Sequence, residues 1–253
     1  MLVVGLDAGS RTIKLVVLDS DRERILASAK TETTYDPVSQ ARQLLDGLDW
    51  DHLVATGYGR KLVQQLFEGV AITEIQAHAI GARHLFPDAR SVLDIGGQDT
   101  KAIALDHEGY VQKFEMNDRC AAGTGKFLEF MAASFQVPIE EFGKFALSGR
   151  PGLTINSMCT VFAETEATSL MARGHKPQDI ARALHLSVVK RSISMLKRTS
   201  VNQPLVFSGG VARNPCAVRL IEEVGQFQLL VPDDPDLMGA LGAALHGARN
   251  CQA

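Results

Sequence analysis

The chain has 253 residues, 45% hydrophobic and 22% charged, a composition far from that of disordered chains and long enough for two packed lobes rather than one core. Its 26 Lys and Arg against 29 Asp and Glu leave a net charge of −3 and no basic run, so nucleic acid is excluded as an expected partner. No apolar stretch reaches the roughly 18 residues of a membrane span and the first residues lack the positive start of a secretory signal, so a cytoplasmic protein without a membrane partner is expected.

In chain order, an apolar strand ends at Asp7, a turn covers residues 8–12, a second apolar strand covers 13–18, and a charged turn at 19–24 leads into a third strand at 25–31. A helix is predicted over 74–86, rich in small residues (Ala77, Ala79, Gly81, Ala82) and carrying His78, whose default role is a polar helix-helix contact. The strand-turn-strand element then recurs: a strand at 91–94 ends at Asp94, Ile95-Gly96-Gly97-Gln98-Asp99-Thr100 turns, and strands at 101–105 and 110–116 follow. Asp7, Gly9 and Lys14 match Asp94, Gly96 and Lys101, so the chain reads as two duplicated units with a cleft between them.

Each element has the makings of a phosphate site. Glycine lets backbone N–H groups approach an anion closely, and an Asp at the strand tip can hold Mg²⁺ directly or through water. Asp-x-Gly also occurs in ordinary hairpins, but a third glycine element supports the phosphate reading. The strand at 204–207 runs into Ser208-Gly209-Gly210-Val211-Ala212-Arg213-Asn214 and then a helix opening near Pro215, where paired glycines would let an adenine and ribose lie on the backbone. A last helix at 237–249 carries Gly239, Ala240, Gly242, Ala243 and Ala244; on this and the earlier helix, small residues permit close approach near a hinge or plain tight packing.

The order of these elements resembles the actin-like ATPase superfamily of acetate and sugar kinases, heat-shock chaperones and actin. The resemblance implies an α/β fold of two ribonuclease H-like lobes, at 1–88 and 89–253, closing on Mg-ATP or ADP, with the helix at about 237–249 packing back toward the first lobe. In that setting Asp7 and Asp94 organise Mg²⁺, Gly9, Ser10, Arg11, Lys14, Gly96 and Gly97 meet phosphates, and Gly209, Gly210 and Asn214 meet the nucleoside. Strand alternation leaves open whether Lys101 faces the site or solvent. Gln98 either orients the attacking water or is an exposed turn residue. Glu164 either activates water or, like Glu166, complements a helix dipole.

Four cysteines, at 120, 159, 216 and 251, include no Cys-x-x-Cys pair, and a chain of this size needs no disulfide. Cys120 and Cys159 each precede a predicted helix, at glycine-rich or polar stretches, where orphan N–H groups and the dipole stabilise a thiolate that binds a soft metal; a buried packing role is the alternative. Two thiolates complete half of the four-cysteine set of a 4Fe-4S cluster, so a homodimer with one shared cluster is expected. Cys216 and Cys251 are read as structural or incidental.

Asp118-Arg119-Cys120-Ala121-Ala122-Gly123-Thr124-Gly125 and Ser157-Met158-Cys159-Thr160-Val161-Phe162-Ala163-Glu164 resemble the two cysteine motifs of the ATP-dependent activators of 2-hydroxyacyl-CoA dehydratases, grouped with the ATPase subunits of benzoyl-CoA reductase. The resemblance implies that Cys120 and Cys159 ligate a 4Fe-4S cluster bridging two subunits. It also implies that ATP hydrolysis drives one low-potential electron to a dehydratase or reductase component, with a ferredoxin or flavodoxin as donor. Lys126 stands where that family often has Arg, and the acidic run Asp233-Asp234-Pro235-Asp236 is a second departure. Two other functions fit the same fold: a sugar-type small-molecule kinase without a cluster, and a nucleotide-switched binding module of the chaperone kind.

Overall fold

The computed structural model describes residues 1–157 and 159–251, so Met158 of the second cysteine motif lies outside the described residues. The chain divides into two compact units. The first comprises Met1–Ala89, Leu105–Gln112 and Asp236 onward; the second comprises Arg90–Ala104 and Lys113–Pro235.

The first unit is built on a five-stranded sheet of order β3-β2-β1-β4-β5, from β1 (Leu2–Ala8), β2 (Thr12–Asp19), β3 (Arg24–Glu32), β4 (His52–Thr56) and β5 (Val70–Ala71). β1, β2 and β3 form an antiparallel meander, while β4 runs parallel to β1 and β5 parallel to β4. Strand alternation dresses the sheet on both faces. Val4, Leu6, Ile13, Leu15 and Val17 cluster with Ala41 and Leu45 of α1 (Pro37–Leu45) and Val63 of α2 (Arg60–Phe67). Val3, Val16 and Leu18 cluster with Ala240, Leu241, Ala244 and Leu245 of α9 (Met238–Asn250).

The small residues of the two outer helices serve packing here. A Cβ on Gly5 would overlap the Ala240 carbonyl oxygen, so glycine lets α9 lie directly on β1. A Cβ on Gly242 would overlap the Ala77 carbonyl oxygen of α3 (Glu74–Leu85), so those helices meet backbone to backbone. α3 starts at a capping box: the Thr73 side chain accepts from Gln76 N, and the Gln76 side chain answers the Thr73 N–H.

The second unit repeats the plan, with strand order β10-β9-β6-β7-β8 from β6 (Ser91–Ile95), β7 (Thr100–Leu105), β8 (Val111–Asn117), β9 (Leu205–Ser208) and β10 (Leu229–Leu230). β6 and β7 are antiparallel, and β9 runs parallel to both β6 and β10. Leu93, Ile95, Ala102 and Phe207 of this sheet share one core with five helices: α4 (Gly125–Ser134), α5 (Ile139–Leu147), α6 (Thr160–Ala172), α7 (Pro177–Arg198) and α8 (Pro215–Gly225). Among the described residues, no helix is long and apolar enough to cross a membrane.

Candidate functional site

The first glycine turn connects β1 to β2. Antiparallel register sets Asp7 directly opposite Lys14, which accounts for the seven-residue spacing of the motif: paired residues on adjacent strands point to the same face. Lys14 Nζ lies 3.0 Å from Asp7 Oδ2. Between them, Gly9 N–H donates to Thr12 O (3.2 Å), and Gly9 O accepts from Thr33 Oγ1 (2.8 Å), which fastens the turn to the end of β3. Ser10 and Arg11 are exposed at its tip.

Two further segments enclose Asp7. Gly57, at the β4–α2 turn, has φ of +88°, and a Cβ there would stand 2.6 Å from Asp7 Oδ1. Gly59 N–H donates to Ala8 O (2.9 Å), and Arg60 Nη1 donates to Gly57 O (3.0 Å). From α9, a Cβ on Gly239 would stand 3.2 Å from Asp7 Oδ2 and 3.4 Å from His78 Nε2. Asp7 thus sits in a cradle that any side chain at positions 57 or 239 would invade, and an oxygen donor in such a space suits a hydrated Mg²⁺. The sequence reading missed residues 56–59, although two glycines between an apolar strand and a helix are the signal that would have found them.

The second glycine turn has the same register, Asp94 opposite Lys101. That register, rather than alternation along one strand, settles the direction of Lys101. It is 2% exposed, with Nζ 2.8 Å from Asp99 Oδ2 and 3.2 Å from Asp94 Oδ2. A buried ammonium held by two carboxylates escapes the cost of an unpaired buried charge. Asp94 Oδ1 also accepts from Ser208 Oγ (3.0 Å) at the end of β9, and a Cβ on Gly209 (φ +84°) would stand 2.8 Å from the same oxygen. Asp99, Thr100 and Ser208 lie inside motifs singled out in the sequence, yet their partners were not legible there. Gly209 is buried against this turn, whereas Gly210 is exposed and opens a 3-10 turn, Gly210–Arg213. Asn214 follows, its side chain accepting from Cys216 N and Ala217 N to cap α8. Gln98 is exposed at the tip of the second turn.

The cysteine elements depart from expectation in one respect. Cys159 is the N-cap residue of α6, with its side chain making no capping hydrogen bond. Cys120 is not at a helix start: a turn closed by Thr124 N–H and Oγ1 onto Ala121 O (3.0 and 2.7 Å) separates it from α4, which begins at Gly125. The first N–H groups of α4 go elsewhere, Gly125 N to Gly96 O (2.9 Å) and Lys126 N to Gly97 O (2.8 Å). Thr100 Oγ1 adds a buried hydrogen bond to Gly123 O at 2.7 Å. The Cys120 loop is therefore seated on the second glycine turn.

The segment before Cys159 is held by Glu166, whose carboxylate accepts from the N–H groups of Asn156 (3.1 Å) and Ser157 (2.9 Å). Burial pushes this carboxyl up, but the Ser157 side chain and these backbone donors outweigh it and hold the group below the usual range. Glu164 Oε1 accepts from Ser134 Oγ (3.1 Å), linking α6 to the end of α4.

Cys120 and Cys159 are exposed thiols, whereas Cys216 is fully buried in the core, its thiol pushed up to about 11 by burial. Among the described residues of one chain, no group of three or more His, Cys, Asp or Glu is placed to hold a metal. Two exposed sulfur donors fit half of a four-cysteine cluster site and fit no complete site within a chain.

The BadF/BadG/BcrA/BcrD ATPase family profile matches residues 4–247. The 2-hydroxyisocaproyl-CoA dehydratase activator of Clostridioides difficile is 39% identical over 97% of this chain and 94% of its own length. Two solved structures are similar throughout. The activator of the 2-hydroxyisocaproyl-CoA dehydratase from Clostridium difficile with bound ADPNP has a TM-score of 0.90 at 39% identity, covering 100% of this chain and 97% of that one. The Acidaminococcus fermentans (R)-2-hydroxyglutaryl-CoA dehydratase component A has a TM-score of 0.92 at 31% identity, covering 100% of both chains. The paired five-stranded sheets are those of the actin-like ATPase fold. With its two glycine turns, its glycine pair at 209 and 210 and a match spanning nearly its whole length, the chain belongs to the BadF/BadG/BcrA/BcrD ATPase family.

Proposed function

We propose that this protein is an ATP-hydrolysing activator that carries a 4Fe-4S cluster and passes a low-potential electron to a 2-hydroxyacyl-CoA dehydratase or a related reductase component. The observation that carries the reading is the joint between a phosphate-type turn and a cysteine loop, in which Gly125 and Lys126 N–H donate to Gly96 O and Gly97 O. A change at those glycines is thereby transmitted to the loop bearing Cys120, which is what coupling nucleotide state to a metal centre requires. Similarity to dehydratase activators, one of them solved with bound ADPNP, supports the same reading.

In this proposal Gly9, Ser10, Arg11, Lys14, Gly96 and Gly97 receive phosphate oxygens, and Gly209, Gly210 and Asn214 form the nucleoside element. Asp7 and Asp94 hold Mg²⁺ through water, and the ion, when bound, neutralises phosphate charge. Lys14 and Lys101 hold the two carboxylates in orientation. Gln98 is the candidate for orienting the attacking water, and Glu164, engaged by Ser134, is assigned to linking α6 with α4. Cys120 and Cys159 from each of two copies ligate the cluster, which when bound supplies one-electron redox chemistry. The working protein is then a cytoplasmic homodimer recharged by a ferredoxin or flavodoxin.

The test is iron and acid-labile sulfide on anaerobically purified protein, together with ATP turnover in the absence of any phosphoryl acceptor. About four of each per dimer are expected, lost in Cys120→Ser and in Cys159→Ser. Absence of iron after anaerobic reconstitution, with ATP consumed only in step with a phosphorylated acceptor, would establish the sugar-type kinase instead.

A further inference from the structure

The second unit contains one fully buried imidazole, His185 on α7, that the proposed chemistry does not use. Its Nδ1 lies 2.8 Å from Ala181 O, one turn back along the helix, and its Nε2 lies 3.0 Å from Asn214 Nδ2. The proton positions follow from the neighbours. Asn214 Oδ1 accepts from two backbone donors, Cys216 N at 3.0 Å and Ala217 N at 3.1 Å, so the amide group facing His185 is the NH₂. Nε2 therefore accepts and carries no proton, and Nδ1–H donates to Ala181 O.

Three elements clamp Asn214. His185 holds its amide nitrogen, the start of α8 holds its amide oxygen, and Gly143 of α5 leaves it room: a Cβ at 143 would stand 2.5 Å from Asn214 Oδ1 and 2.7 Å from Pro215 Cδ. The Phe142 ring, 4.9 Å from the imidazole between centroids, fixes the ring from the side. Capping α8 needs only the Asn214 oxygen. The bond from its nitrogen to His185 adds a constraint on the side-chain rotation. Asn214 also closes the 3-10 turn Gly210–Arg213 through its N–H to Val211 O at 2.9 Å, so that constraint reaches the exposed Gly210.

We propose that His185 is a positioning residue for nucleoside binding: as an unprotonated acceptor it locks Asn214, and through it the turn Gly210–Arg213, in the conformation that receives the adenosine end of the nucleotide. This inference rests on the reading of residues 207–214 as the nucleoside element.

The experiment compares Mg-ADP and inorganic pyrophosphate binding to the full-length protein by calorimetric titration, each affinity normalised to the folded fraction. His185→Leu leaves the half-buried Asn214 NH₂ without its His185 acceptor, and about a tenfold weaker ADP affinity is expected. Pyrophosphate, which lacks the nucleoside, is expected to bind within about twofold of wild type, since the lost bond is confined to the nucleoside end. His185→Gln, which keeps an acceptor oxygen, is expected to recover most of the ADP affinity. Equal ADP affinity in wild type and His185→Leu, or equal weakening of ADP and pyrophosphate, overturns the proposal in favour of a packing role. Failure of the wild type to bind any adenine nucleotide overturns the nucleotide reading itself. Should His185→Leu not fold, ¹⁵N spectra of the wild-type imidazole decide the matter. The Nε2 resonance is expected to move on saturation with Mg-ADP, and an unmoved resonance overturns the proposal.

Discussion

Lys126 N donates to Gly97 O at 2.8 Å, so the first turn of α4 is seated on the second glycine turn rather than on the cysteine that precedes it. By position alone this helix start looks like a thiolate site; in the proposed function the joint instead couples the second glycine turn to the cysteine loop.

The joint is testable at Thr100, whose hydroxyl reaches Gly123 O at 2.7 Å in a buried setting. Thr100→Val keeps the shape and leaves that carbonyl unsatisfied, so unfolding in urea is expected at about 1–2 kcal/mol lower stability. ATP hydrolysis is expected to persist while any ATP-induced change in the visible spectrum of the reconstituted protein weakens. A spectrum that responds to ATP as in wild type would count against coupling through this contact.

Lys101→Met removes the ammonium from Asp94 and Asp99 inside the second unit. Breaking a buried ion pair from one side is expected to cost on the order of 3–5 kcal/mol. Lys14→Met is expected to cost less, because the Lys14 side chain is 18% exposed against 2% for Lys101 and water takes up part of the loss. Chemical denaturation of the two variants side by side gives the ranking, and the reverse order would contradict it.

Burial lowers the His185 pKa from 6.5 to about 4, because the folded chain holds the ring neutral. The unfolded chain therefore binds the extra proton first. This contribution to stability is complete above pH 6.5 and declines as pH falls through the window from 6.5 to 4, by about 3 kcal/mol at its lower end. Urea midpoints measured from pH 7.5 to 4.5 are expected to fall less steeply in His185→Gln than in wild type. Parallel slopes would show that other groups carry the acid sensitivity.

Thiol accessibility separates the cysteines. In iron-free protein Cys120 and Cys159 are exposed and are expected to react with iodoacetamide within minutes, whereas Cys216, buried and with its thiol pushed up to about 11, reacts only on unfolding. Mass mapping of labelled peptides with and without urea reads this directly. Labelling of Cys216 in the native protein would contradict the packing of α8.

Much of this architecture is legible in the sequence because it depends on local geometry. The spacing from Asp7 to Lys14, and again from Asp94 to Lys101, is that of a tight antiparallel turn, which places residues at matched distances from the tip opposite each other on one face. Strand alternation and the small-residue helices indicate the layers for the same reason. Tertiary structure alone decided which acceptor each donor meets. The α4 N–H groups chose Gly96 and Gly97, the Gly57 turn closed on Asp7, and His185 found Asn214 from 29 residues away. Hydrogen-bond partners at helix starts and strand tips are set by whatever packs within about 3 Å, and that neighbour is supplied by chain segments remote in sequence.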